Sequence, residues 1–312
     1  MFEAWHERAG LPIARLTLVL AVAFGLPGCG STLMNGIWGE SSSTSGDSGA
    51  ASAQASMGNS IAPDLGSAGD GDAVAQLYNS GLDRLKSGEY TSAVKKFSDV
   101  ERQYPYSSWA TKAIIMQAYA NYQAGSFDDT INAANRFITL HPGHRDAPYA
   151  YYLIALSDYN RINDTKRDQT QTQKALDDLQ EVARRFPGTP YADDVERKIL
   201  AAKDHLAGKE MDVGRYYYNR GAYLAGINRF KRVVTDYQNT AQAPEALYRL
   251  TEGYMALGVD SEARTAAAVL GHNYPNSQWY KDAYSLVSTG GQQPVENQQS
   301  WISKAFKAIN PL

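Results

Sequence analysis

The sequence predicts an all-α fold, an α-solenoid of stacked helical hairpins, on three observations. A glycine followed two residues later by an aromatic recurs along the chain, as Gly88 with Tyr90, Gly125 with Phe127 and Gly221 with Tyr223. After it come a small residue and then an aromatic: Ala93 and Phe97, Ala134 and Phe137, Gly226 and Phe230. The flanking segments carry apolar residues at helical spacing, and most units close on a proline, as at Pro105, Pro142, Pro187 and Pro275. Two antiparallel helices of this pattern in about 34 residues make a tetratricopeptide (TPR) repeat, and five units fit in phase. An irregular helical bundle leaves the recurring turn unexplained.

The chain has 312 residues, with Lys+Arg 30 against Asp+Glu 33 and a formal net charge of −3. A phosphate-binding surface needs clustered cations, so the balance argues against nucleic acid as a partner. The 21 Tyr suit helix packing and protein interfaces alike, because Tyr carries a large amphipathic face on two side-chain torsions.

Residues 1–28 read as a lipoprotein signal peptide. Arg8 and Arg15 precede the apolar run Leu16 to Phe24, which at about ten residues is too short to span a bilayer and suits a signal-peptide core. Leu26-Pro27-Gly28-Cys29 resembles the bacterial lipobox, in which the cysteine is acylated and becomes the first residue after cleavage; Pro27 departs from the residue usual at its position. Cys29 is the single cysteine, which excludes an internal disulfide and a two-cysteine metal site. Several acyl chains anchor stably, since each buried methylene contributes about 0.8 kcal/mol. Gly30 follows the cysteine where lipoproteins kept in the inner membrane resemble Cys-Asp, so the resemblance implies delivery to the outer membrane.

Residues 29–72 then read as the lipidated cysteine and a disordered tether. From Gly30 to Asp72 the chain is mostly Ser, Gly and Ala with no Lys or Arg, too polar to repay ordering. A flexible segment of that length reaches about 35 Å. Met34, Ile37 and Trp38 near the anchor suit either a headgroup layer or water.

The solenoid is expected over 73–288. Its first repeat, about 74–107, has Gly81 in helix A, Gly88 at the turn, Ala93 and Phe97 in helix B, and Tyr104-Pro105 at the close. Gly81 and Ala93 allow close helix approach, Gly88 supplies the positive φ that ends a helix, and Pro105 blocks continuation. The second, about 111–144, carries the same pattern with Ala118, Gly125, Phe127, Ala134, Phe137 and Pro142. The third, about 147–187, is stretched by the polar loop Arg161 to Thr172 before a helix from Gln173 to Phe186. Tyr191 to Asn219 is long enough for one extended helix, whose end opens the fourth repeat, about 207–240. The fifth spans about 244–277, and a helix from Ser277 to Val287 covers the last open face, as a terminal repeat requires. In the tail, 289–312, Trp301, Ile302, Ala305, Phe306 and Ile309 share one helical face with Ser303, Lys304 and Lys307 off it. That short amphipathic helix either docks on the solenoid or a partner, or frays.

No chemistry-bearing constellation is read from the chain. His141 and His144 flank Pro142-Gly143 with Asp146 nearby, too few ligands for a metal and ordinary for a turn. Neither a phosphate-cradling glycine loop nor Gly-x-Ser-x-Gly is found. Glu181, Glu196 and Glu210 sit near Arg and Lys at helical spacing, as on a salt-laced exterior. The expectation is a binding protein without catalytic residue, metal or cofactor. A cell-wall hydrolase on a helical scaffold would need a further globular domain.

Three stretches are more specific: Glu101-Arg102-Gln103-Tyr104-Pro105-Tyr106-Ser107, Tyr191 through Leu206, and Val213 to Tyr223 with Asn228-Arg229-Phe230. With the lipobox, they resemble the BamD (ComL) family of the β-barrel assembly machinery over about 73–287. The chain departs from enterobacterial members in its longer Ser/Gly tether and its tail from Gln292. The resemblance implies a lipid-anchored assembly factor on the periplasmic face of the outer membrane. Its implied partners are the POTRA region of the barrel-assembly subunit, unfolded outer-membrane proteins and other assembly lipoproteins. It implies a client contact at Tyr104, which reads equally as a repeat-closing aromatic, and a POTRA contact at Arg220 and Arg229, where Arg is a usual interface anchor. The alternative is a periplasmic TPR adaptor of the TolA-binding type; Cys29 and the lack of a heptad run before Ala73 argue against it.

Overall fold

The computed structural model describes residues 68–307. The expected signal peptide, Cys29, the tether up to residue 67 and the last five residues of the tail lie outside them. The described residues form twelve helices: α1 (Ala68–Lys86), α2 (Tyr90–Gln103), α3 (Ser108–Gln123), α4 (Phe127–Leu140), α5 (Ala147–Tyr159), α6 (Thr170–Arg185), α7 (Pro190–Tyr218), α8 (Tyr223–Asp236), α9 (Ala243–Ala256), α10 (Asp260–Asn273), α11 (Gln278–Thr289) and α12 (Trp301–Lys307). They pair as five hairpins, with α11 and α12 beyond the fifth. The fold is thus the all-α TPR array the sequence predicts.

Each hairpin turns on a glycine in the left-handed region, save the third with its longer loop: Gly88 (φ 76°), Gly125 (74°), Gly221 (76°) and Gly258 (71°). Within the first, Gly81 faces Phe97 so closely that a Cβ there would lie 2.7 Å from the ring, and Gly214 faces Phe230 in the same way. Both rings are fully buried.

Every second helix ends on an aromatic residue with nearly the same backbone: Tyr104 (φ −132°), His141 (−135°), Phe186 (−128°), Tyr237 (−134°) and Tyr274 (−136°). In four of them the next residue is proline, which disfavours the α conformation before it. The chain then restarts under hydroxyl caps. Ser107, Thr189 and Ser277 accept the backbone N–H of Ala110, Ala192 and Tyr280, satisfying a donor that a helix start leaves open.

Successive first helices are joined by aromatic pairs. Tyr78 meets Trp109 (ring centroids 5.0 Å apart), Tyr119 meets Tyr149 (6.4 Å), Tyr149 and Tyr152 meet Tyr191 (5.6 and 5.1 Å), and Tyr248 meets Trp279 (5.3 Å). Between α7 and α9 the link is ionic instead, Arg215 Nη1 to Glu245 Oε2 at 2.9 Å.

Some boundaries differ from the sequence reading. α1 begins at Ala68 rather than Ala73, with Asp72 near its N-terminus, where the helix dipole favours an acid. α6 begins at Thr170 rather than Gln173, because Asp168 Oδ1 accepts the Thr170 N–H at 3.0 Å and starts the helix early. The shortened loop is latched to α7, His205 Nε2 to the Asn163 carbonyl at 2.5 Å and Lys209 Nζ to the Lys166 carbonyl at 3.2 Å. α11 runs to Thr289 rather than Val287, and the tail helix docks on the array. Ser303, expected off the apolar face, is buried. α12 lies between two helices, so residues flanking its Ile302–Phe306 stripe are covered as well.

The glycine facing Phe97 gives the first test. Gly81→Ala is expected to destabilise the array by up to about 2 kcal/mol in urea unfolding, overpacking of about 1–3 kcal/mol being set against the roughly 1 kcal/mol gain in helix propensity. Phe97→Leu in the same chain should recover part of the loss. A Gly81→Ala protein more stable than its parent would show that the close approach is not a constraint.

Candidate functional site

The turn after α7 presents Arg220. Gly221 and Ala222 donate their N–H groups to the carbonyls of Tyr218 and Tyr217, which fixes the turn and leaves Arg220 exposed in it. Its guanidinium lies 4.0 Å from the Tyr216 ring centroid and donates to the Tyr216 hydroxyl. Tyr216 is itself exposed, at 51%, as is Leu224 in the first turn of α8, at 64%. Behind them Tyr218 packs on Tyr223 (5.0 Å) and Phe230 (6.4 Å), tying the turn to the core. The result is an exposed cation held over an exposed aromatic ring, a combination suited to a protein partner.

Arg229 is placed differently. Its Nη1 lies 3.2 Å from Glu210 Oε2, while Arg232 Nη1 lies 2.7 Å from Glu210 Oε1. The Glu210 side chain is only 12% exposed, so it is not the outer-surface residue its helical spacing suggests: α8 packs over it and brings two cations to one carboxylate. A polar cavity of about 300 Å³ opens beside this cluster, lined by Asp168, Gln169, Gln173, Lys209, Glu210 and Arg232 among others. Arg220 and Arg229 belong to one hairpin, but one guanidinium is free of carboxylate partners among the described residues and the other is already paired.

Tyr104 lies three repeats away. It is half-buried at the end of α2, in the backbone conformation that all five closing residues share. Its carbonyl accepts the Ser107 hydroxyl at 2.8 Å, while the adjoining Tyr106 is fully exposed. His141 and His144 sit against Phe137 (5.5 and 5.4 Å), and His144 Nδ1 is 3.6 Å from Asp146 Oδ2.

Two clusters escape sequence reasoning. One crosses from α7 to α9: Arg215 bonds Asp212 and Glu245, and Arg249 bonds Glu245 and Glu252. The other is buried between α5 and α6. The fully buried Asp158 receives Lys174 Nζ at 3.0 Å and Gln171 Nε2 at 2.9 Å, and its carboxyl interacts with that of Asp178. Burial, then the hydrogen bond to Asp158 and its charge, raise Asp178 to about 7. Burial opposes ionisation of Asp158, but hydrogen bonds from Asp178, Gln171 and Lys174 together hold it below the usual carboxylate range.

The model of the YfiO outer membrane lipoprotein family matches residues 70–270, which covers all five hairpins but for the last turn of α10. The chain belongs to this family. It is 46% identical to the outer membrane protein assembly factor BamD of Caulobacter vibrioides over 222 residues, 71% of this chain and 73% of that one. To BamD of Rickettsia prowazekii it is 44% identical over 214 residues, 69% and 85% of the two chains. Among solved structures it is similar to a thermophilic TPR protein of Thermus thermophilus, 16% identical over 68% of this chain and 97% of that one, with a TM-score of 0.28. The match to the YfiO family takes in Tyr104, Arg220, Arg229 and the buried acid pair, and ends before α11 and α12.

The acid pair makes stability depend on pH. Asp178 keeps its proton in the folded chain up to about 7, whereas the unfolded chain releases it near 3.8. The folded state therefore holds the extra proton between those values, and this contribution to stability falls as pH rises from about 4 to about 7. Asp158 acts oppositely, its contribution being lost only below its ordinary range. Asp178→Asn mimics the protonated form and is expected to remove the decline. Urea midpoints at about pH 5 and pH 8 should converge in the variant and separate in the parent; parallel profiles would remove the proton held by Asp178.

Proposed function

We propose that this chain is an outer membrane protein assembly factor, a TPR scaffold anchored through acylated Cys29 on the periplasmic face of the outer membrane. It binds the POTRA region of the barrel-assembly subunit, other assembly lipoproteins and unfolded β-barrel clients, and acts by holding them rather than by catalysis. The observation that carries this is the match to BamD assembly factors over 222 and 214 residues, together with the family match over residues 70–270. Membership of a family of outer membrane lipoproteins supports the anchor at Cys29.

Of the site residues, Arg220 is the strongest candidate for the POTRA contact, since it is exposed and its guanidinium lies over the exposed Tyr216 ring. Arg229 serves the same surface indirectly by holding Glu210 and with it the angle between α7 and α8. Tyr104 contributes to client binding through the first repeat, where its fully exposed neighbour Tyr106 adds aromatic surface.

Purification from membranes with the anchor intact should recover a β-barrel assembly subunit; recovery of Tol components instead would overturn the reading. Arg220→Ala is expected to weaken binding to the purified POTRA region by about 2–5 kcal/mol if the partner desolvates the guanidinium, against about 0.2–1 for a rim contact. Arg220 makes no contact with the core, so circular dichroism should be unchanged. Normal binding by the folded variant would remove it from the site.

The anchor is tested separately. Cys29→Ser is expected to release the protein from the membrane while leaving the thermal unfolding of the array unaltered, because acylation and folding use different segments. A variant still membrane-bound after a salt wash would defeat this.

A further inference from the structure

After α11 the chain turns at Gly291 (φ 72°) and runs back along the outside of α10. Gln292 Nε2 donates to Asp260 (2.9 Å), Arg264 Nε to the Gln293 carbonyl (2.9 Å), and Ser300 Oγ to Glu262 (2.6 Å). α12 then lies across α8 and α10, second helices of neighbouring repeats. Ile302 and Phe306 enter the core cluster of these helices, Phe306 packs edge-on against Tyr274 (6.4 Å), and the Lys231 ammonium sits 4.7 Å from the Trp301 ring centroid.

The seat is imperfect. Among the described residues, three buried side-chain polar atoms toward the C-terminal end lack a hydrogen-bond partner: Ser288 Oγ of α11, Gln292 Oε1 after it and Ser303 Oγ of α12. Ser303 is 1% exposed, so its hydroxyl gives up water without replacing it. By the usual penalty for an unpaired buried hydroxyl, that lowers occupancy roughly 5- to 100-fold relative to an apolar residue of the same size. The described part of the helix has seven residues, and a helix of that size gains its stability mainly from packing, since isolated helices persist only from about 12–15 residues. Of the hydrogen bonds that hold the segment, those at Asp260, Arg264 and Tyr284 are solvent-exposed, and those from Asn297 to Thr265 and from Gln238 to the Ala305 carbonyl are long at 3.4 Å. The groove is made largely by residues within the family match, whereas the covering segment lies outside it.

We propose that the groove between α8 and α10 is a receptor site for an amphipathic helix of a partner protein, kept closed in this chain by its own C-terminal segment as a displaceable strap. The partner helix presents large apolar residues at the places of Ile302 and Phe306 and an apolar residue where Ser303 stands. Tethering gives the strap a high local concentration, and the Ser303 mismatch keeps it weak enough to be displaced. This goes beyond assembly through Arg220 and does not depend on it.

The test uses the full chain with a protease site placed within 294–298, and labelled peptides of residues 299–312 with the native sequence or with Ser303→Ala. Before cleavage the native peptide should not bind. After cleavage the strap should dissociate on gel filtration, and both peptides should bind in fluorescence anisotropy, the Ser303→Ala peptide roughly 5- to 100-fold more tightly. Three results would overturn the proposal: a cleaved strap that stays bound without exchange, equal affinity of the two peptides, or loss of helical circular dichroism on cleavage, which would make the strap permanent core. As a second route, Phe306→Asp in the uncleaved chain should open the groove to the Ser303→Ala peptide with helical content preserved; a folded variant that binds nothing would also count against it.

Discussion

Two helices of a short hairpin bury little between them, and the distance at which they cross decides whether a stack of such hairpins has a continuous core. Here that distance is set by residue pairs of complementary size, Gly81 against Phe97 and Gly214 against Phe230, with both rings fully buried. An aromatic ring against bare backbone gains dispersion contacts all round it, whereas a methyl in between forces the helices apart. The turn glycines and the closing aromatics then hold each hairpin at that spacing and deliver the chain to the next one. With the inner positions fixed in this way, the turn tips and outer faces are free to carry partner-specific residues such as Arg220 and Tyr106.

What the hairpin needs is local, so it was legible in the sequence. Glycine at a left-handed turn, a small residue facing an aromatic, and proline after the closing residue all lie within one unit. Contacts between units were not legible, because their partners stand far apart in the chain and neither is unusual alone. Trp109, Tyr191 and Trp279 each follow a closing aromatic by five residues, and that spacing was an available signal for the aromatic links between first helices. The Asp158–Asp178 pair had no such signal, since two acids on helices read as solvated faces until the helices are packed. The same holds at the site. Arg229 next to Phe230 reads as an outward cation, and only the position of α7 reveals that Glu210 already holds it. Ser303 reads as the polar side of a helix with one covered face, and it is buried because α12 lies between two helices.

The apolar core divides along α7. Ala202 and Leu206 pack with Leu176 of α6, while Ala207 and Met211 pack with the helices of repeats four and five. Leu206 and Ala207 are neighbours on one unbroken helix, so the two parts of the array share an element with no loop between them. A continuous helix transmits orientation far better than a connecting turn, and the loop latched to His205 and Lys209 braces it where Gly208 would otherwise weaken it. At the next interface Arg215, Glu245 and Arg249 replace the aromatic pair, and partly exposed ion pairs of this kind contribute little to stability. Repeats four and five therefore depend on other contacts for their mutual angle, and α12 is one of them, since it touches both α8 and α10. A segment that braces two repeats across an interface lacking the aromatic link changes the geometry of that interface when it leaves. Displacement of the strap would thus alter the surface beside Arg220 without any partner touching the arginine, which links the groove to the proposed POTRA contact through the angle between the two repeats.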